Sequence, residues 1–400
     1  MRALEHITVL DLTHMLSGPY GAMILSDLGA RTIKVEPPGE GEGTRKLLST
    51  SADYARDGMG AYFLTLNRGK ESVCVDLKTQ AGLQVFYDLV RKADVVVDNF
   101  SAGVPTRLKI DHAHLSAINP RIVTCSITGF GETGVDPNRP AFDQVVQGMG
   151  GGMSITGFAD RAPVRSGIPH GDLGGGMFGA MGVMAALLAR EATGVGRHVD
   201  VSMLDVQISL LNYMATMHLM SGHVPERIGN SHFVHVPYNT FKTASSYIII
   251  ACIGDAFFEK FLSVVAREEL RNPAYLAQPA RYADRERIEA IIEEELSTQP
   301  AEYWLAKLRE QRIPCAPVNN LAEALNDAQV RSRNMVVQTT LHSGERVDMP
   351  GNPIKLSDCA DPAELPGAPE LGRDTDAVLY NLLGYGEAEI ASLRQAGAVA

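Results

Sequence analysis

Between residues 7 and 126 the chain alternates short β-branched runs with stretches of helical periodicity, and this alternation limits its possible folds more than any other feature. Ile7–Leu10, Thr32–Val35, Ser72–Val75, Asp94–Val97 and Arg121–Ser126 read as strands, with helices at Gly21–Leu28, Gln80–Lys92 and Asp111–Ala117 between them. Strands joined by helical crossovers pair in parallel. The expected fold class is therefore α/β with a mostly parallel sheet. Leu173–Arg190 and Val201–Met220, whose apolar positions recur every three to four residues, predict two further helices.

Near Ser221 the character changes, because Gly222, Pro225, Gly229 and Pro237 punctuate a polar stretch. Beyond it Tyr247–Ile253 reads as a buried strand, and Arg285–Glu295 and Ala301–Gln311 as charged amphipathic helices. The division expected is 1–221, a smaller unit over 222–317, and 318–400. In the last part Leu321–Leu325 reads as helical, and Met335–Leu341 and Arg346–Met349 as a hairpin around Ser343-Gly344.

Lys plus Arg total 36 against 47 Asp plus Glu, a formal charge of −11, and no block of like charge stands out. A nucleic-acid or acidic-membrane partner therefore has no electrostatic footprint. The opening MRALEHITVL lacks the apolar core and cleavage site of a signal peptide. The apolar stretch Met177–Ala189 is shorter than the ~20 residues of a membrane span. Cys74, Cys125, Cys252, Cys315 and Cys359 form no CxxC pair, as in a reduced, cytoplasmic protein.

Several motifs fail. Glu36 ends the second strand, where a dinucleotide-binding fold places its ribose carboxylate, but the first turn reads Ser17-Gly18-Pro19-Tyr20-Gly21 instead of G-x-G-x-x-G. Glu36 is thus expected to be a strand-end surface residue. There is no Walker A, HExxH or G-x-S-x-G motif. His232 and His235 lack a third ligand, so they suit a surface or interface role and no metal site is expected.

Glycines remain. Gly148, Gly150, Gly151 and Gly152 form one run, and Gly171-Asp172-Leu173-Gly174-Gly175-Gly176 opens the long apolar helix. Asp172 suits a helix N-cap. It also suits a carboxylate nucleophile, with the N–H groups of a mobile loop containing Gly151, Gly152, Gly174 and Gly175 holding the oxyanion. The first run could equally be a turn between helices. Arg68 and Lys70 precede the third strand, and Arg107 and Lys109 follow the turn after the fourth, at the edge where α/β sheets bind ligands. Each alone reads as a solvated charge; together they suit a phosphorylated carrier.

At these residues the sequence resembles the class III CoA-transferases, the family of the formyl-CoA:oxalate, carnitine and bile-acid CoA-transferases. The likeness runs over nearly the whole chain: Val9-Leu10-Asp11-Leu12-Thr13 with Gly18-Pro19, Asp27-Leu28-Gly29-Ala30, Ile33-Lys34-Val35-Glu36, Asn67 through Lys70, and Ala93-Asp94 through Asn99-Phe100. It continues through Ile118-Asn119-Pro120-Arg121, Gly129-Phe130-Gly131, Asp200-Val201-Ser202, Arg227 to Asn230 and Pro317-Val318-Asn319. Met349-Pro350-Gly351-Asn352-Pro353-Ile354-Lys355 and Cys359-Ala360-Asp361-Pro362 lean toward its oxalate-using members.

The resemblance implies a Rossmann-like large domain built from both chain ends, a smaller inserted α/β domain, and an interlocked homodimer. It implies that Asp172 is the catalytic aspartate and that Lys70, Asn99, Phe100, Arg107 and Met203 contact CoA. The partners implied are an acyl-CoA and a small carboxylic acid, with no cofactor beyond CoA. Acetyl- or formyl-CoA is the expected donor and oxalate the acceptor; the alternative is a succinyl-CoA-dependent transferase for glutarate, mesaconate or citramalate. Some positions depart from the family. Ser101-Ala102 stand where many relatives have Arg-Pro, Leu16 and Pro37 stand near positions where formyl-CoA transferases carry glutamine and arginine, and no glycine run follows Gly254 to serve as a lid. The racemases of the same fold carry a Gly-His-Asp segment where this chain reads Ala141-Phe142-Asp143, which disfavours that activity. A non-catalytic CoA-binding protein would not need Asp172.

Overall fold

The computed structural model describes residues 2–359 and 361–400, so Met1 and Ala360, the latter within the Cys359-to-Pro362 motif, lie outside the described residues. The chain forms two compact units, one of Met1–Gly152, Arg165–His223 and Ala328–Ala400, the other of Met153–Val164 and Val224–Asp327. Residues 153–164 and 318–327 thus group with the second unit, which the sequence division into three stretches had not included.

In the first unit the elements run β1 (Thr8–Asp11), α1 (Ser17–Asp27), β2 (Arg31–Glu36), α2 (Ala61–Asn67), β3 (Glu71–Cys74), α3 (Gln80–Lys92) and β4 (Val95–Asp98). They continue with α4 (Val104–Leu108), α5 (His112–Ile118), β5 (Val123–Thr128), α6 (Asp143–Met149), α8 (His170–Thr193), β6 (His198–Ser202), α9 (Met203–Leu211) and α10 (Tyr213–Ser221), while the short α7 (Gly152–Ile155) falls in the second unit from Met153 on. The six strands form one parallel sheet in the order β3-β2-β1-β4-β5-β6. Period-two alternation sends Leu10, Ile33 and Val96 into one core with Phe86 and Leu89, and Val9, Val95, Val97 and Ile127 into the other with Val183. Burial on both faces explains why these strands read as continuous apolar runs.

The helix expected over Val201–Met220 is corrected: β6 occupies His198–Ser202, and two helices follow, broken where Asn212 adopts φ +48°. The Ser202 hydroxyl accepts from Asp205 N at 3.1 Å and starts α9. Edge-strand residues of mixed polarity, His198 and Asp200 among them, hid the strand. The expected hairpin is present, with Val336–Thr340 antiparallel to Arg346–Pro350 and Gly344 at φ +84° in the turn.

The long α8 has mean hydropathy 1.4 over its most apolar window, enough by length and composition to cross a membrane. Here it packs against α1, β5, β6 and α9 as a core helix.

The second unit contains the antiparallel sheet of Tyr238–Lys242, Tyr247–Ala251 and Cys315–Pro317. Its core gathers Phe258, Phe261, Ile288, Ile292 and Trp304. The middle strand is half-buried, not buried as expected: Ile248 and Ile250 point inward while Tyr247 and Ile249 are exposed.

Two surface expectations also fail. Glu36 is buried, with its carboxylate gripped by Arg45 Nε and Nη2 at 2.7 Å each, and by Ser72 Oγ at 2.7 Å. Burial opposes its ionisation, yet the Arg45 hydrogen bonds hold its pKa below the ordinary value. Arg68 is likewise buried, paired with Asp27 at 2.7 Å. At the sheet centre Asp11 accepts from Lys70 Nζ at 2.7 Å and from Thr13 N at 2.8 Å, with Lys34 Nζ 3.9 Å away. Burial works against the Asp11 charge, but the two lysines outweigh it and lower its pKa to about 2.

Removing one partner strands the others in low dielectric, so Asp11→Asn is expected to cost about 3–5 kcal/mol at neutral pH. Because the folded pKa is depressed, this stabilisation is complete above the unfolded value of about 4 and is lost as pH falls toward about 2. Urea denaturation of both proteins at pH 7 and pH 3 should therefore show a gap that narrows on acidification.

Candidate active site

Helix α8 begins at His170 after Pro169, so Asp172 sits at the third helical position and not at the N-cap. The second and third N–H groups of the helix are satisfied from outside it. The Asp143 carboxylate, at the start of α6, accepts from Gly171 N at 2.9 Å and Asp172 N at 3.4 Å, and so lies on the positive end of the helix dipole. The first intrahelical bond runs from Leu173 N to Pro169 O at 2.9 Å.

The half-buried Asp172 carboxyl is pushed up to about 6, first by burial and then by the Asp143 charge. Tyr62 on α2 belongs to the same neighbourhood. Burial pushes its phenol up to about 12, helped by the charges of Asp172, Glu42 and Asp143. At pH 7 a carboxyl of pKa about 6 is ~90% ionised yet more basic than an ordinary aspartate, a favourable combination for a nucleophile.

Gly174 and Gly175 do not form the expected oxyanion loop. Both lie buried inside α8, where backbone N–H groups bond along the helix, and their missing side chains serve packing. A Cβ on Gly174 would come within 2.7 Å of Val206, and one on Gly175 within 3.2 Å of Ile127 and Met203. Gly176 and Gly21 let the backbones of α8 and α1 touch, since a Cβ on Gly176 would lie 2.5 Å from Ser17 O. Gly151, at φ +80°, and Gly152 make the turn between α6 and α7.

Of the expected CoA contacts, Lys70 is corrected. Its ammonium is consumed inside the unit by Asp11, Asn67 Oδ1 at 3.0 Å and Pro19 O at 3.3 Å, and its side chain has no exposed surface. Asn99 is spent on the loop before α1, accepting from His14 N at 2.9 Å and donating to His14 O at 2.7 Å. Phe100 faces His14 with ring centroids 5.6 Å apart. The two rings help line a cavity of about 340 Å³ with Leu12, Val35, Val75, Lys78 and Leu108, at the carboxyl ends of β1–β3. Asp98 supports this turn by accepting from Phe100 N at 3.2 Å and Ser126 Oγ at 2.9 Å, while burial lifts its carboxyl to about 7. Arg107 stands exposed in α4, and Met203 is buried at the start of α9.

Sequence reasoning missed Lys78, Tyr62 and the capping role of Asp143. Lys78 could have been found by the rule that selected Arg107, since it follows a strand at the same sheet edge. Asp143 and Tyr62 carried no motif, because what brings them to Asp172 is the packing of α6 and α2. A second cavity, of about 580 Å³, lies beside the Asp172 turn and is bordered by Leu16, Met23, Tyr62, Leu66, Leu173 and Met177 among others.

Fold and site together define an α/β protein with a cavity at the carboxyl edge of a parallel sheet, the place where such folds take their ligands. The family model described as CoA-transferase family III matches residues 4–375, and the chain belongs to that family of transferase enzymes. It is 42% identical over 369 residues to acetyl-CoA:oxalate CoA-transferase of Acetobacter aceti, covering 92% of each chain. It is 36% identical over 363 residues to succinyl-CoA:mesaconate CoA-transferase of Haloarcula hispanica, covering 90% of this chain and 91% of that one. The crystal structure of a CAIB/BAIF family protein from Brucella suis matches with TM-score 0.85 at 34% identity, over 95% of this chain and 99% of that one.

A carboxyl with a raised pKa opposes folding once it ionises, so Asp172 costs stability as pH rises from about 4 to about 6. Asp172→Asn is expected to be the more stable protein above pH 6, by about 1 kcal/mol after discounting for partial exposure, and no more stable at pH 4. Thermal melts across that range check this.

Proposed function

We propose that this enzyme moves coenzyme A from an acyl-CoA, acetyl- or formyl-CoA, to a small carboxylate, with oxalate as acceptor. One observation carries the reading: Asp172 has a carboxyl of raised pKa, and the residue after it, Leu173, lines a largely apolar cavity. A carboxylate oxygen of Asp172 attacks the thioester carbonyl, the C–S bond breaks, and CoA leaves as thiolate, giving a mixed anhydride. The thiolate then attacks the aspartyl carbonyl and expels the donor acid, leaving an aspartyl-CoA thioester. The acceptor carboxylate attacks that carbonyl and releases thiolate again. Attack of this thiolate on the acceptor carbonyl of the second anhydride forms the new acyl-CoA and regenerates Asp172. Atoms and charge balance with CoA esters and carboxylates alone.

An anhydride must be kept from water, and the apolar walls formed by Met23, Leu66, Leu173 and Met177 suit that need. For the carrier, Phe100 and His14 offer ring faces, with Lys78 and Arg107 as exposed cations for its phosphates. We further propose an interlocked, cytoplasmic homodimer without membrane or nucleic-acid partners. Met177, Met181 and Leu188 on α8, and Tyr213, Leu219 and Met220 on α10, leave apolar surface for a second copy to cover.

Asp172→Ala is expected to abolish transfer, by at least about a thousandfold, while CoA still binds. Intact mass after incubation with acyl-CoA should reveal a covalent adduct in the parent protein alone; transfer by the variant at near-parental rate would sink the assignment. Chromatography of reactions with acetyl-, formyl- and succinyl-CoA against oxalate, glutarate and mesaconate identifies the pair used, and a preference for succinyl-CoA would replace oxalate by a dicarboxylate. Lys78→Ala is expected to raise KM for acyl-CoA about tenfold with kcat little changed, as loss of one charge-assisted contact implies. Steady-state kinetics measures both.

A further inference from the structure

One polar relay has no part in the transfer scheme, and it leads away from Asp143. Gln147 lies one turn further along α6 and is only 4% exposed. Its Nε2 donates to Asp143 Oδ2 at 2.7 Å, and its Oε1 accepts from Ser166 N at 3.0 Å, on the segment that enters α8. Ser166 Oγ in turn accepts from Ile168 N at 3.2 Å. A side-chain amide satisfies both ends at neutral pH, because one partner needs a donor and the other an acceptor.

This clamp leaves Asp143 Oδ1 on the N–H groups of Gly171 and Asp172. An acidic side chain at the third position of a helix ordinarily reaches back to the N–H of the cap residue. Here the cap residue is Pro169, which has none, and the N–H groups of Gly171 and Asp172 are taken by Asp143. Those two N–H groups are therefore closed to the Asp172 carboxylate.

We propose that Gln147 is a positioning residue of the transfer reaction: by holding Asp143 on the amides of α8, it keeps the Asp172 carboxylate unbonded and free to attack. This rests on Asp172 being the nucleophile. The titratable groups facing that carboxylate are Asp143 on α6 and Tyr62 on α2, with Glu42 acting on Tyr62. Around the first turns of α8, α1 contributes Ser17 and Tyr20, β5 Ile127, and α9 Met203, Val206 and Leu210. Tyr20 is the only titratable group in this second set, and burial raises its phenol pKa.

The test uses rapid-quench mass spectrometry of the Asp172–CoA adduct formed from acyl-CoA, with full steady-state kinetics beside it. Gln147→Met, apolar and of similar length, releases Asp143 and lets the helix amides turn to Asp172. Its adduct formation should slow at least about tenfold, KM for acyl-CoA should stay within about twofold, and the acid limb of kcat/KM should move below that of the parent. Gln147→Glu supplies the donor only while protonated, so its activity relative to the parent should fall as pH rises from 5.5 to 8. Parental adduct rates in Gln147→Met overturn the proposal even if its melting temperature drops. Should that variant not fold, a flat activity ratio for Gln147→Glu across the same range overturns it. Absence of any Asp172 adduct in the parent protein would instead remove the nucleophile assignment beneath it.

Discussion

The active region depends on a backbone-to-backbone contact between two helices. α1 and α8 meet at Gly21 and Gly176, where a Cβ on either would strike the other helix at 2.8 Å or closer. Glycine on both sides lets the helices approach until Tyr20 lies 3.1 Å from the place a Gly176 side chain would occupy. That approach puts Leu16, at the head of α1, and Leu173, on the first turn of α8, on the wall of one cavity. Asp172 is held beside that wall. Glycine inside a helix costs about 1 kcal/mol relative to alanine, and α8 carries several such residues where they do no loop work. Their cost is offset by the closeness they permit, and it is this closeness that positions the carboxylate.

Charge is distributed to the same end. The protein carries a formal −11, yet Lys34, Lys70, Arg45 and Arg68 are buried and matched to Asp11, Glu36 and Asp27. They brace the sheet and its flanking turns. Lys78 and Arg107 remain exposed at the sheet's carboxyl edge. Asp172 differs from Asp11, Glu36 and Asp27 in that the charge acting on it is another carboxylate, Asp143 in α6. A group surrounded in this way stays more basic than an ordinary aspartate.

The strand alternation of the first 130 residues was legible to within one or two positions, because burial on both faces leaves an unbroken β-branched signal. β6 was not, since an edge strand tolerates His198 and Asp200 and so resembles the start of the next helix. Asp172 was legible as a carboxylate among glycines at a helix start. The meaning of those glycines was not, because a glycine needed for positive φ and one needed for helix contact look the same in a string of letters.

By itself the sequence determined the parallel α/β layer, the family likeness and the one carboxylate on which the proposed chemistry turns. These follow from local periodicity and from residue types in order along the chain. Tertiary structure alone decided which charges are internal and which are available, that Asp143 and Gln147 cap a helix begun by Pro169, and that Tyr62 shares the neighbourhood of Asp172. Those facts depend on distances between residues tens to hundreds of positions apart, and no local pattern in the chain records them.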